Sequence, residues 1–222
     1  MLTAPKSGDD DTAVLSMIAH IVGISKNGPR FDPGFSITQL NSEENMILLC
    51  PLHHSQVDAQ TSTYSVEQLK KMKKDHELWA NKIWRDNILT VNNTELEIVT
   101  RYLMSSPKIV PFERKLTPPK DKLKKNGLSK RTEDLMVWSL AKSEEVGKFI
   151  AHMEQITPDF SEKLKSSFVE RYEQCKQEGL EGDEIFSELL EMATGPKPDF
   201  QRQAAGLAVL THLFELCEVF EK

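Results

Sequence analysis

The chain has 222 residues, 39% of them hydrophobic and 28% charged, with 10 Gly and 11 Pro. That excludes collagen-like, low-complexity and wholly disordered chains, and no stretch approaches the ~18–20 apolar residues of a membrane span. The formal net charge of -6 is uneven: residues 1–107 carry 10 basic and 13 acidic side chains, residues 108–131 carry 9 and 2, and residues 132–222 carry 9 and 19. Phosphate binding is driven by cation contacts, so the acidic last part is a poor nucleic-acid surface. The basic stretch before it reads either as a phosphate contact or as a solvated linker. Cys50, Cys175 and Cys217 lie far apart, which argues against a disulfide scaffold and for a reducing compartment. The start, MLTAPKSGDDD, lacks the basic-then-apolar order of a secretory signal. The chain is therefore expected to be cytoplasmic, with no membrane partner.

Residues 1–60 read as strands and loops with one short helix. Two short apolar runs, 13–24 (AVLSMIAHIVGI) and 46–50 (MILLC), flank the dense turn signals of Lys26-Asn27-Gly28-Pro29 and Asp32-Pro33-Gly34. Pro51 suits the first turn of a helix carrying LHHSQVDAQ. Ser65 with Gln68 is a capping-box pattern opening a helix over 65–85. Along that helix Val66, Leu69, Met72, His76, Trp79 and Ile83 form one apolar stripe. Lys70, Lys71, Lys73 and Lys74 fall on the other faces, as a solvated face or a DNA-flanking one. A proline-rich connector follows, with one helical piece near 95–104. From about 130 the pattern is helical: 132–141, 144–155, 159–176, 183–192 and 200–220, the last apolar enough to be central to a bundle.

The segment that carries chemistry is IAHIVG, followed 21 residues later by NMILLCPLHHSQVD. His20 lies near the end of one apolar strand and Asn45 begins the next. His54 and Asp58, one helical turn apart, share a face where both can bind one cation. An imidazole and a carboxylate suit a divalent metal.

These residues resemble an HNH endonuclease domain of the ββα-metal type, in the subgroup with an AHI…GPR…N…LC…H pattern, over roughly residues 13–80. The resemblance implies that His20 is the general base and that Asn45 braces the loop between the strands. It also implies His54 and Asp58 as ligands of Mg, Mn or Ni, and Arg30 as the arginine that reaches a phosphate. DNA would be the substrate. Where many relatives carry a further metal ligand just before the base, this chain has Ala19. Cys50 and His53 resemble half of a structural zinc knuckle whose other half, a C-x-x-C upstream, is absent here. Structural zinc takes four ligands, so it is not expected within this chain.

The C-terminal half has no catalytic signature. LKKNGLS, GDEIFSELL and FELCEVFEK resemble the small helical domains of effectors in bacterial ABC-three-component conflict systems, which pair with an ABC-type ATPase. That implies a role in antiviral defence and a partner ATPase, with a homo-oligomer as a further possibility.

The expected architecture is α+β: an HNH nuclease domain (1–90), a connector (91–118) and an all-α interaction domain (119–222). The expected function is metal-dependent DNA cleavage. The competing reading is a degenerate HNH domain that binds DNA or protein without cutting.

Overall fold

The computed structural model describes residues 3–4, 13–14, 16–104, 119–195 and 199–216. The chain is α+β, mostly helical with two small antiparallel sheets, and divides into two units, residues 1–80 and 81–222. Expectations for Cys217, for the segment 105–118 and for the end of the last predicted helix lie outside the described residues.

In the first unit β1 (Thr3–Ala4) pairs with β2 (Ala13–Val14), and β3 (Met17–His20) pairs with β4 (Met46–Leu49), Met17 opposite Leu49 and His20 opposite Met46. The run read as one strand over 13–24 is thus split between two sheets. Alternation explains the faces of the second hairpin. Ala19 and Ile47 turn inward, while Ile18 and Leu48, also cross-strand partners, are exposed. Between the strands lie α1 (Ile37–Leu40), closed by a Ser36/Gln39 capping box, and one 3₁₀ turn at Glu43–Asn45. α2 (Pro51–Ala59) follows β4 directly, with Cys50 at the N-cap and Pro51 at N1, where a missing N–H costs nothing. Val57 of α2 and Leu69 of α3 (Val66–Thr90) close a small core with Ala19, Ile21 and Ile47.

That core ends near Met72. The stripe expected along α3 therefore loses its partner, and Trp79 is 54% exposed, against the ring of His76 at 5.4 Å.

The second unit is helical: α4 (Asn93–Leu103), α5 (Pro119–Lys125), α6 (Lys130–Leu140), α7 (Ser143–Ile156), α8 (Phe160–Gln177), α9 (Gly182–Thr194) and α10 (Phe200–Glu215). Every residue from Ala204 to Thr211 is buried, which makes α10 the central helix. Gly206 is where α9 approaches: a Cβ there would lie 3.1 Å from the Ala193 Cβ. The unit begins earlier than the sequence suggests. Leu96, Val99 and Leu103 of α4, expected in a connector, belong to this core. Their spacing of three and four makes α4 amphipathic, and its apolar face is covered here. No helix among the described residues is long and apolar enough to cross a membrane.

Candidate metal and catalytic site

Asn45 sits at the junction of the 3₁₀ turn and β4 and is 3% exposed. Its side-chain nitrogen donates to the Val22 and Leu40 carbonyls, each at 3.0 Å, and its Oδ1 accepts from the Val22 N–H at 2.8 Å. Its backbone carbonyl accepts from the Ile21 N–H at 2.8 Å. Only a primary amide offers two donors and an acceptor in that short span. These bonds fix the chain leaving β3 against the chain entering β4, and with it the position of His20.

His20 ends β3. Its Nε2 is buried and has no hydrogen-bond partner among the described residues. An unsatisfied buried nitrogen costs about 1–3 kcal/mol, and such groups in folded proteins call for a reason.

On α2 the first intrahelical bond runs from the His54 N–H to the Cys50 carbonyl, 2.9 Å. One turn on, His54 Nδ1 lies 3.5 Å from Asp58 Oδ2, as the i,i+4 spacing requires. The other carboxylate oxygen, Oδ1, accepts from Arg30 Nη2 at 2.7 Å. The Asp58 carboxylate is thus divided, one oxygen toward the imidazole and one toward the guanidinium.

Arg30 is the residue whose position local sequence patterns do not reveal. Its side chain is 3% exposed, and every nitrogen has a protein acceptor: Nε to the Ile21 carbonyl at 2.9 Å, Nη1 to the Val57 carbonyl at 2.5 Å, Nη2 to the His20 carbonyl at 3.5 Å as well as to Asp58. The phosphate contact expected of Arg30 differs from this placement, because the guanidinium is turned inward as a clamp between the end of β3 and α2. A buried cation requires a paired anion, and Asp58 is that anion. The backbone at Arg30 is left-handed (φ 55°), a conformation that costs a non-glycine residue about 1–2 kcal/mol. Gly23 makes the turn possible. It donates to the Arg30 carbonyl at 3.2 Å, and a Cβ on it would stand 2.1 Å from the Pro29 carbonyl oxygen.

Cys50 Sγ lies 2.9 Å from His53 Nδ1. Hydrogen bonds from the His53 backbone and then its ring hold the thiol below its ordinary range. The two supply half of the four ligands a structural zinc takes.

Among the described residues no three His, Cys, Asp or Glu side chains gather as a metal group. His54 and Asp58 nevertheless fit a divalent ion as a pair. Two donors about 2.1 Å from one ion, at a tetrahedral angle, lie about 3.4 Å apart, close to the 3.5 Å between Nδ1 and Oδ2. Neutral imidazole and carboxylate are ligands for Mn, Ni or Zn, and carboxylate for Mg.

Comparison with protein-family models, with curated proteins and with solved structures returns no match.

Proposed function

We propose that the first unit is a metal-dependent endonuclease of the ββα-metal type that hydrolyses DNA phosphodiesters. The observation that carries this reading is the constellation set by Arg30. One guanidinium bonds both the backbone of His20 and the carboxylate of Asp58, which itself faces His54. His20, Asp58 and His54 are the residues the chemistry needs, and each comes from a different stretch of sequence or a different turn.

In this mechanism His20 acts as the general base. Its Nε2 takes a proton from water as the oxygen attacks phosphorus. That requires a neutral ring with its proton on Nδ1. The P–O3′ bond breaks as the new P–O bond forms, and the departing O3′ takes a proton from solvent, leaving a 5′-phosphate and a 3′-hydroxyl. His54 Nδ1 and Asp58 Oδ2 would hold the divalent ion, which when bound polarises the phosphate and offsets charge on the leaving oxygen. Arg30 orients Asp58 so that Oδ2 is left for that task. Asn45 holds the strand end from which His20 projects.

Supercoiled plasmid incubated with the protein and Mg, Mn or Ni ions tests the reading. Nicking or linearisation by wild type and none by His20→Ala is the expected pattern. A wild type that binds DNA and never cuts it leaves the adaptor reading standing instead. One observation favours that alternative: Asp58 is already ion-paired, and only two donors converge among the described residues.

The helical unit is proposed to dock an ABC-type ATPase or a second copy of the chain, in antiviral defence in the cytoplasm. Supporting this are its acidic balance over 132–222 and exposed apolar side chains such as Val137, Ile156 and Phe200.

A further inference from the structure

A protein that cuts DNA must hold its phosphates with cations, and residues 16–80 have few to offer: Lys26, Arg30, Lys70, Lys71, Lys73 and Lys74, against seven carboxylates. Arg30 is turned inward on four protein acceptors. Lys73 is bound to the Glu43 carbonyl and lies 3.8 Å from Glu77. Apart from the isolated Lys26, that leaves Lys70, Lys71 and Lys74. All three are exposed, and none has a carboxylate within ion-pair distance among the described residues. Lys70 and Lys74 are one turn apart and Lys71 and Lys74 are three residues apart, so they share one face of α3. That face lies away from Leu69, which is buried in the hairpin core. Of the acidic residues on this stretch, Glu67 accepts from the Ser65 hydroxyl at 2.8 Å and also interacts with the charge of Lys70, Glu77 faces Lys73, and Asp75 is exposed one turn from Lys71. The bond from Lys73 to the Glu43 carbonyl fastens this turn of α3 to the loop just before Asn45 and β4, so the lysines are held in a fixed relation to the hairpin.

We propose that Lys70, Lys71 and Lys74 form the surface on which this unit grips the backbone of duplex DNA, without reading its sequence. The proposal rests on the reading of residues 16–80 as a domain acting on DNA, and it says which face holds that substrate now that Arg30 is turned inward. Lysines on an exposed helix face contact phosphates as point charges, and each contact releases counterions.

The test is equilibrium binding of the full-length protein to a fluorescent duplex in EDTA, where no cutting interferes, across a series of salt concentrations. Three proteins are compared: wild type, a Lys70→Gln/Lys71→Gln/Lys74→Gln variant, and a Lys108→Gln/Arg114→Gln/Lys115→Gln variant that removes the same charge from the basic stretch. The α3 variant is expected to bind about tenfold or more weakly at ~0.1 M salt, for any duplex sequence. The slope of log K against log salt should fall in magnitude by about 2 to 3, at ~0.9 for each phosphate that is no longer neutralised. Its circular dichroism and its metal affinity by calorimetry should match wild type, since the three side chains are exposed and outside the His54–Asp58 pair. Binding and slope equal to wild type in the α3 variant, or weakening only in the 108–115 variant, overturns the proposal, as does a wild type with no affinity for the duplex. A protein that grips DNA through these lysines and never cuts it upholds this face while ending the nuclease reading. A protein that cuts normally without the three lysines does the reverse.

Discussion

Arg30 Nη2 and Asp58 Oδ1 lie 2.7 Å apart across 28 residues of sequence, the arginine side chain 3% exposed and the aspartate 36%. The pair joins the turn after β3 to α2. Removing the cation would leave three backbone carbonyls and a half-buried carboxylate without their donor. Arg30→Lys should therefore destabilise the first unit by about 2–4 kcal/mol, because one ammonium cannot replace a planar fork serving four acceptors. Hydrogen exchange should show faster opening of the amides in 17–22 and 46–49. Protection equal to wild type would show that the clamp contributes little.

His20 separates chemistry from stability. General-base catalysis contributes about 10²–10⁴-fold, so His20→Ala should lower cleavage by that factor or more. The denaturation midpoint should stay level or rise slightly, since the substitution deletes a buried nitrogen with no partner among the described residues. A variant that unfolds more easily and cuts in proportion to its folded fraction would assign His20 to the core.

Asp58 can be divided into its two oxygens. In Asp58→Asn an oxygen can still accept from Arg30 while the position facing His54 becomes an amide. Metal affinity measured by calorimetry should then fall strongly, and stability should fall too, since Arg30 keeps a hydrogen-bond acceptor but loses its anion. Asp58→Ala should lose both metal affinity and stability. Equal metal affinity in wild type and Asp58→Asn would remove this residue from the ligand set.

Two thiols should differ in reactivity. Cys50 is held below the ordinary range by the His53 backbone and ring, whereas burial pushes the Cys175 thiol up. A depressed pKa means thiolate persists to lower pH, so the alkylation rate of Cys50 should reach half its maximum at a lower pH than that of an ordinary exposed thiol. Replacing His53 with alanine should move that midpoint upward. Peptide mapping after brief iodoacetamide treatment should find Cys50 labelled before Cys175.

The boundary of the helical unit is also testable. A fragment 81–222 retains α4, but a fragment 119–222 lacks Leu96, Val99 and Leu103, each worth about 1.5–3 kcal/mol of burial. The shorter fragment should melt at much lower temperature or fail to fold cooperatively. Equal melting of the two would mean that α4 is an accessory.

The legible parts of the fold are those decided locally. Met46–Leu49 as a strand, Pro51 opening a helix, and the His54/Asp58 spacing follow from neighbours within one turn or one strand. The apolar run of α10 announces a central helix because it is hydrophobic on all sides. What escapes a reading of the sequence is any feature whose partner lies far along the chain. Arg30 looks like an exposed turn residue until Ile21, Val57 and Asp58 surround it. Trp79 continues the stripe of Leu69 and Met72, but periodicity does not say where the opposing core stops. Leu96, Val99 and Leu103 precede a run of prolines that begins at Pro107 and suggests a linker, although their spacing already makes a helix with one face to bury.

The placement of α10 has a consequence for biosynthesis. Translation delivers a chain from its N-terminus, and domains fold as units once their residues have emerged. The hairpin, α2 and the first turns of α3 are complete by residue 80, so the first unit can close while the remainder is still being made. The helices of the second unit face the opposite situation, because the element that fills their centre comes after all of them. Until Ala204–Phe214 have left the ribosome, Phe168, Leu189 and Val146 have only an incomplete core to pack against. A premature stop before α10 would thus release a folded first unit joined to sticky, unclosed helices, a substrate for chaperones and proteases rather than a shorter working protein.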